Sequence, residues 1–302
     1  MSQTSRGRAV KPKWSFRESR RNVHVIDINL PKVGAEQWVL LMSDVHWDNP
    51  LCNRDLLKEH LDLALERNAP VIDAGDFFCA MQGKYDKRSS KKDIRPEHCK
   101  NDYLDALVNT AAEWLKPYRK LLTVRGIGNH ESAIYKNHET DLIERLAERL
   151  RSAGGIARRG GFSGYVRFAL NHNGRKSAVK LWYFHGAGGG GPVTRGVIQT
   201  NRQAVYVADA DLVLTGHTHD AWQVPIQRIR LSSSDKVEHF RQTHIKVGGY
   251  KEEFVDGCGG FHVERGGPPK PVGSYWLRFF QPSGHKKSEV RALAEYDLIE
   301  AK

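Results

Sequence analysis

The sequence predicts an α/β fold whose first half contains a parallel sheet and whose C-terminal part, residues 221–302, is rich in β-strands. Two apolar runs, 38–42 and 71–74, have the length and composition of strands buried on both faces. Between them, residues 54–67 repeat leucine and alanine at helical spacing, with Asn53 as the N-cap. Strand, helix and strand in this order are typical of a parallel sheet. Beyond residue 221, short segments between Gly, Pro and Ser clusters favour strands at 222–231, 239–247, 274–280 and 289–296.

The same periodicities predict the elements in the middle of the chain. A helix is expected from Leu104, and Pro117 brings it to an end. Asn173-Gly174 is a hairpin signal because both residues tolerate positive φ. The other expected elements are helices over 139–151 and 194–207, strands over 121–124 and 212–214, and hairpin arms over 165–170 and 178–184.

Composition excludes several classes of protein. The chain has 302 residues, a hydrophobic fraction of 39% and no apolar run near the roughly 18 residues that a membrane span needs. Its N-terminus lacks the apolar stretch of a secretory signal. The four cysteines show no CxxC spacing, which argues against a zinc finger and favours a reducing compartment. We therefore expect a cytoplasmic protein that has no contact with a membrane.

The positive charge is concentrated in two segments. The formal net charge is +12, and residues 1–22 carry seven Lys/Arg against one Glu. Residues 84–100 carry another seven against three acidic residues. We expect a flexible basic arm over 1–22 and one domain over 23–302, with a polar, basic insertion at about 80–100. A polyanion such as nucleic acid is the partner that this charge favours, although both segments are also compatible with solvated surface.

Polar residues follow five of the expected strands, at the end where α/β proteins usually place their sites. Asp44 and His46 flank one residue, as do His217 and His219, and residues two apart in an extended segment point to the same side. His and Asp ligands suit Mn, Fe or Zn rather than Ca. The candidate residues are Asp44, His46, Asp76, Asn129, His130, His185, His217 and His219.

This ordered set resembles the calcineurin-like metallophosphoesterase superfamily, whose pattern is DxH, GD, GNH[DE], H and GHxH. The matching stretches are Asp44-Val45-His46, Gly75-Asp76, Gly128-Asn129-His130-Glu131, His185 and Gly216-His217-Thr218-His219. The resemblance covers about residues 37–220 and implies a four-layer α/β/β/α sandwich that holds two metal ions at one end.

The resemblance also implies a role for each residue. Asp44, His46, Asp76 and His219 would bind the first metal, and Asp76 would bridge to the second, which Asn129, His185 and His217 complete. His130 resembles the family's catalytic histidine, which binds the phosphate and protonates the leaving oxygen. Two divalent ions, Mn²⁺ or alternatively Fe, Zn or Ni, would activate a bridging water and clamp the phosphate. Glu131 is expected to support the site rather than to act as a base.

The superfamily includes protein phosphatases, phosphodiesterases and nucleases, so the fold does not fix the substrate. The stretch Gly75-Asp76-Phe77-Phe78 lacks the arginine that follows this motif in phosphoprotein phosphatases and is closer to the GDLF variant of DNA-repair exonucleases. The basic insertion could lie along a nucleic-acid backbone and neutralise its phosphates. The candidate substrate contacts are Lys84, Lys87, Arg88, Lys91, Lys92 and Arg195.

We therefore predict a metal-dependent phosphodiesterase, a nuclease acting on DNA or RNA. Two alternatives stay open on the sequence. One is a phosphomonoesterase that acts on phosphoprotein or nucleotide. The other is a non-catalytic nucleic-acid-binding module with a structural metal site, which the presence of His130 beside a complete ligand set argues against.

Overall fold

The structure is a computed structural model that describes residues 13–82, 94–172, 174–254, 261–264, 266–281 and 295–302. Within these residues the strands are β1 (Trp14–Arg20), β2 (Val23–Leu30), β3 (Glu36–Met42), β4 (Val71–Asp73), β5 (Leu122–Arg125), β6 (Arg158–Arg159), β7 (Ser163–His172), β8 (Arg175–Phe184), β9 (Leu212–Thr215), β10 (Trp222–Leu231), β11 (Val237–Lys246), β12 (Ser274–Phe280) and β13 (Glu295–Ala301). The helices are α1 (Arg54–Glu66), α2 (Tyr103–Leu115), α3 (Asn129–His138), α4 (Leu142–Ser152), α5 (Val197–Tyr206) and α6 (Phe261–Glu264).

The strands form two mixed sheets. The seven-stranded sheet has the order β1-β2-β7-β8-β9-β11-β10, and the six-stranded sheet has the order β13-β12-β3-β4-β5-β6. Strands β3, β4, β5 and β6 run parallel to one another, as do β8, β9 and β11. The carboxyl ends of each parallel set therefore meet at one edge of its sheet.

Side-chain alternation along β3 shows how the layers stack. Val39 and Leu41 pack with Phe168 of the other sheet, in an apolar layer between the two sheets. Leu40 and Met42, on the opposite face of the same strand, belong to a second layer with residues of α1, α2 and α4. Both faces of the strand are buried, which explains its continuous apolar sequence.

The fourth layer lies on the outer face of the seven-stranded sheet. Val207 at the end of α5 packs with Ala210 and Val213, and Trp182 covers the same small cluster. Helices, two sheets and a helix thus stack in the order α/β/β/α. The predicted fold class is confirmed. Over the described part of the chain, no helix is both long and apolar enough to cross a membrane.

The N-terminal segment differs from the expectation of a flexible arm over 1–22. Residues 14–20 form β1 and pair antiparallel with β2, while residues 1–12 lie outside the described residues. Trp14 and Phe16 pack against the layer between the sheets. Two side chains on one face at the start of β1 thus contribute apolar surface, although the rest of the strand is polar and exposed.

Several other elements were missed or misplaced, among them helix α3, which the sequence did not predict. The sequence analysis gave no strand at 23–30, where β2 lies. The last strand occupies 295–301 rather than 289–296, and residues 282–294 lie outside the described residues. Asn53 is the N-cap of α1 as predicted, since its Oδ1 accepts a hydrogen bond from Leu56 N at 2.9 Å.

Candidate metal centre

The loops that follow β3, β4, β5, β8 and β9 are hydrogen-bonded to one another where the two sheets meet. Asp44 N donates to Gly75 O at 2.9 Å, and Gly216 N donates to His185 O at 2.8 Å. His217 N donates to Asp44 Oδ2 at 2.8 Å and so links the ends of the two sheets. These contacts bring the predicted polar residues into one region of the molecule.

One group of candidate ligands contains Asp44, His46 and His219, whose ligating atoms lie within 4.8 Å of one another. His219 Nε2 lies 3.2 Å from His46 Nε2 and 3.4 Å from Asp44 Oδ1. All three residues are buried. Two imidazoles and a carboxylate that point their basic atoms at one spot are suited to coordinate a cation.

A second group contains Asp76, His185 and His217, again within 4.8 Å. His185 Nε2 lies 3.0 Å from Asp76 Oδ2 and 3.1 Å from Asn129 Oδ1. The side chain of Asn129 therefore joins this group as a neutral oxygen donor. That Asp76 also bridges to the first group stays a prediction.

The backbone of these loops has an unusual conformation at the candidate ligands. Their φ angles lie in the left-handed region, which disfavours non-glycine residues and costs roughly 1–3 kcal/mol for each. The angles are 53° at Asp44, 49° at His46, 54° at Asp76, 73° at His217 and 53° at His219. Such strain persists only where the surroundings hold it, and it clusters at functional sites.

Two glycines of the motifs are required by close packing against the carboxylates. A Cβ on Gly128 would lie 2.0 Å from Asp76 Oδ1, and a Cβ on Gly216 would lie 2.0 Å from Asp44 Oδ2. Neither contact is sterically possible. The glycines before Asn129 and His217 thus let the backbone approach the two buried aspartates.

The electrostatics of the site favour a bound cation. Asp44 Oδ1 is buried, and the Nε2 atoms of His219 and His46 lie 3.4 and 4.0 Å from it. Burial opposes ionisation of Asp76, yet the neighbouring His185 and His130 hold the pKa of Asp76 well below its usual range. Burial likewise opposes a charged His185, but Asp76 and Asp44 raise the pKa of His185 to about 9. Two buried carboxylates with imidazoles around them fit divalent metals.

His130 lies at the edge of this site and is oriented by a backbone carbonyl. His130 Nδ1 lies 2.6 Å from Cys79 O, so the ring donates its Nδ1–H to that carbonyl. Its Nε2 lies 3.9 Å from Asp76 Oδ2, and its backbone N–H donates to Asp76 Oδ1 at 2.9 Å. The ring packs edge-on against His46 at 4.9 Å between centroids. His130 therefore presents Nε2 toward the candidate ligands.

Asp48 fixes the loop that carries this carbonyl. Its two carboxylate oxygens accept hydrogen bonds from Cys79 N at 2.6 Å and from Ala80 N at 2.9 Å. The sequence analysis did not identify Asp48 as part of the site. Its position four residues after Asp44 was the only available signal, because all the groups that donate to it, including the hydroxyl of Tyr103, lie more than thirty residues away.

Glu131 binds the loops together, as its expected supporting role requires. Its carboxylate accepts hydrogen bonds from the backbone N–H groups of Gly128 (2.9 Å), Asp76 (3.2 Å) and Phe78 (2.8 Å). Burial and the charge of Asp76 raise the pKa of Glu131, whereas the three N–H donors oppose this shift and stabilise its ionised form. Glu131 thus connects the loop after β4 to the start of α3.

A buried ion pair lies directly beneath these loops. Arg125 Nη2 is 3.2 Å from Asp73 Oδ2, and both side chains are fully buried. The guanidinium also stacks on Phe77 at 4.3 Å. Burial outweighs the attraction of Arg125 and raises the pKa of Asp73 to about 6. This pair joins β4 to β5 just before their polar loops.

The candidate substrate contacts divide into two groups. Arg195 belongs to the described residues, and its backbone carbonyl accepts a hydrogen bond from Trp222 Nε1 at 3.0 Å, but its contact with substrate stays a prediction. The basic residues of the insertion lie outside the described residues, so their role stays a prediction; they are Lys84, Lys87, Arg88, Lys91 and Lys92. Sequence reasoning also missed Lys246, whose buried ammonium donates to Gly216 O at 2.8 Å next to His217.

Cys79 also lies at the site, which its lack of CxxC spacing did not suggest. Its sulfur, with ligating atoms of His46 and His130, forms a third group within 4.8 Å. The side chain of Cys79 is buried.

Comparison with known proteins gives matches among solved structures alone. No protein-family model and no curated protein sequence matches the chain. A conserved uncharacterized protein from Streptococcus pneumoniae, described as a predicted phosphoesterase, is 12% identical, with a TM-score of 0.30 over 88% of this chain and 91% of that one. Vps29 from Entamoeba histolytica, solved with zinc, is 10% identical, with a TM-score of 0.34 over 88% of this chain and 100% of that one.

A third structure is GAP50 of Plasmodium, described as the anchor in the inner membrane complex. It is 10% identical, with a TM-score of 0.42 over 88% of this chain and 89% of that one. At these values, any argument about function rests on the residues of the site.

Proposed function

We propose that this protein is a metal-dependent phosphoesterase that hydrolyses phosphodiester bonds, and specifically a nuclease acting on DNA or RNA. The observation that carries the proposal is the convergence of two His/Asp groups, which contain four histidines, with a fifth histidine, His130, beside them. A purely structural metal site has no use for an additional imidazole turned toward its ligands.

In this proposal, one metal is held by Asp44, His46 and His219 and the other by Asp76, Asn129, His185 and His217. Divalent cations, Mn²⁺ in our proposal, would supply Lewis acidity to the phosphate and lower the pKa of water. The glycines at 128 and 216 leave space for the carboxylates to reach these positions.

His130 is proposed to handle the proton of the leaving group. Its Nδ1–H is engaged by Cys79 O, so proton exchange with substrate takes place at Nε2. A protonated Nε2 donates to the phosphate oxygen as negative charge develops there, and passes its proton to the leaving oxygen. Asp48 and Cys79 keep the ring in this orientation.

The loop after Asp76 favours a diester over a monoester substrate. The side chains of Phe77, Phe78 and Ala80 are buried, so this stretch presents no guanidinium to the second negative charge of a phosphomonoester. The formal net charge of +12 favours a long polyanion over a small one.

A substrate panel tests the proposal. Mn²⁺-loaded protein should hydrolyse bis(4-nitrophenyl) phosphate faster than 4-nitrophenyl phosphate and should cut single- or double-stranded DNA or RNA, with rates that fall as salt rises. Faster turnover of the monoester would favour the phosphomonoesterase. Binding of nucleic acid without any hydrolysis would favour the non-catalytic module.

Two variants separate chemistry from metal binding. His130→Ala should keep the metal content of the wild-type protein and lower turnover by roughly 10²–10⁴-fold, the usual contribution of a general acid. Asp76→Asn should lower metal content and turnover together. Wild-type turnover in His130→Ala would remove the catalytic assignment.

A further inference from the structure

A pocket lined by arginines lies at the edge strand β6, outside the candidate metal centre. Its volume is about 380 Å³, within the range of sites that bind small molecules or nucleotides. We call it the arginine pocket. The charged residues that line it are Arg21, Arg151, Arg158, Arg159, Glu18 and Glu144.

Positive charge in the arginine pocket is only partly compensated. Glu144 pairs with Arg151 at 2.7 Å, and Arg159 pairs with Asp141 at 2.8 Å. Among the residues that the structure describes, Arg21 and Arg158 form no ion pair. The four arginines outnumber Glu18 and Glu144, so the lining carries a formal net charge of +2, which favours an anion.

Two of the guanidinium groups also share one acceptor. Nη1 of Arg151 and Nη1 of Arg158 donate to the same carbonyl, Ala157 O, at 3.0 and 3.2 Å. Like charges this close repel each other, and a phosphate between them would relieve the repulsion. The positive charge of Arg158 also acts on buried His24: burial and this charge together lower the pKa of His24 to about 4.

The pocket lies at the same edge of the sheet as the candidate metal centre. Arg159 pairs with Arg125 in the parallel strands β5 and β6, so both strands end at that edge. Three residues further on, Phe162 O accepts a hydrogen bond from His185 N at 3.0 Å. Three residues of chain span at most about 10–11 Å, which corresponds to no more than about three nucleotides at a rise of about 3.4 Å each.

We propose that the arginine pocket binds a backbone phosphate of the polynucleotide whose scissile bond lies at the candidate metal centre. The guanidinium fork matches two phosphate oxygens, which is why arginine predominates in such sites. This inference rests on the proposed nuclease function for the identity of the ligand, and binding tests it separately from cleavage.

The experiment measures binding of fluorescein-labelled oligonucleotides of about 12 nucleotides, one DNA and one RNA of the same sequence, by anisotropy in EDTA. Arg158→Gln should weaken binding roughly three- to tenfold at low salt and reduce the slope of log K against log salt by about 0.7, the value for one phosphate contact on a single strand. Arg21→Gln, at an exposed position, should act in the same direction.

Arg149→Gln is the matched control, because Arg149 is exposed on the same helix as Arg151 but does not line the pocket. It should change binding by less than about twofold. Arg158→Lys keeps the positive charge but loses the planar guanidinium that can bind two phosphate oxygens at once. It should therefore bind more tightly than Arg158→Gln and more weakly than the wild-type protein. Turnover of bis(4-nitrophenyl) phosphate, which is too small to reach the pocket, should stay at the wild-type level in every variant.

The outcomes distinguish failure of the pocket from failure of the nuclease function. Wild-type binding in Arg158→Gln and Arg21→Gln, or an equal loss in Arg149→Gln, overturns the pocket. Reduced turnover of the small diester by Arg158→Gln would point to a structural defect and also overturn it. If the pocket variants alone lose binding while the wild-type protein cuts neither DNA nor RNA, the pocket stands and the nuclease function fails.

Discussion

The carboxylate of Glu131 should determine whether the loops of the candidate metal centre keep their shape. Its Oε2 accepts hydrogen bonds from the backbone of Asp76 and Gly128, and its Oε1 accepts one from Phe78. In Glu131→Gln, the amide oxygen can retain the first two bonds. The amide nitrogen would then face Phe78 N–H, which leaves one buried donor without an acceptor.

A buried donor that loses its partner costs about 1–3 kcal/mol, so Glu131→Gln should lower the free energy of unfolding by that amount. Glu131→Ala removes both acceptor oxygens and leaves all three N–H donors without a partner, and the same value for each donor gives roughly 3–9 kcal/mol. That loss is comparable to the whole stability of a typical domain, about 5–15 kcal/mol. We therefore expect Glu131→Ala to fold poorly and Glu131→Gln to be the informative variant.

The assay is urea denaturation of the metal-free protein, followed by measurement of bound Mn²⁺ after reconstitution. Glu131→Gln should show both a lower midpoint and a lower metal content, because the backbone of Asp76 moves with the loop. Glu148→Gln, an exposed residue of α4, is the control for the same chemical change. A loss below about 0.5 kcal/mol, the usual size of surface effects, together with full metal content would refute this reasoning.

Three further predictions concern packing, pH and metal. Gly128→Ala should abolish metal binding because its Cβ would displace the carboxylate of Asp76, whereas Gly189→Ala, with no atom within 4 Å of the added Cβ, should bind metal normally in the same titration. His24 has a pKa of about 4 in the folded protein, against an ordinary value of 6.5, as a result of burial and Arg158. The unfolded chain therefore binds more protons between these pH values, and stability falls as pH is lowered through them. His24→Leu should reduce the difference in Tm between about pH 4.5 and pH 7.5. Finally, EDTA should lower the Tm of the Mn²⁺-loaded wild-type protein, since an ion that binds only the folded state stabilises it; an unchanged Tm would contradict the assigned ligand set.

The sequence predicted the structure best where the composition of a short segment follows directly from its burial between two layers of the fold. The run 38–42 is apolar because both of its faces are buried, Asp73 is the one charged residue in the buried run 71–74, and helix α1 begins after the predicted cap. The candidate ligands could be listed because each one directly follows such a run. Because the strands that precede the candidate ligands run parallel within each sheet, their carboxyl ends, and with them these ligands, lie at a common edge of that sheet.

The remaining features depend on contacts that no short window contains. Strand β1 has only two aromatic residues, Trp14 and Phe16, among serines and charged residues, so its segment is polar on average, and only its pairing with β2 reveals it as a strand. Asp48 and the carbonyl of Cys79 act through backbone atoms of distant loops. The arginine pocket combines β6 and α4 with a turn near the N-terminus, so its residues are scattered along the chain.

Strand β1 has a practical consequence for the preparation of shortened proteins. It forms the outer edge of the seven-stranded sheet and covers β2 over six pairs of residues. A chain trimmed to begin at Val23, in order to remove a basic tail, would leave the N–H and C=O groups of β2 open along one side. Such an edge is a template for pairing with another chain. Trimming should therefore stop before Trp14 if the product is to stay monodisperse.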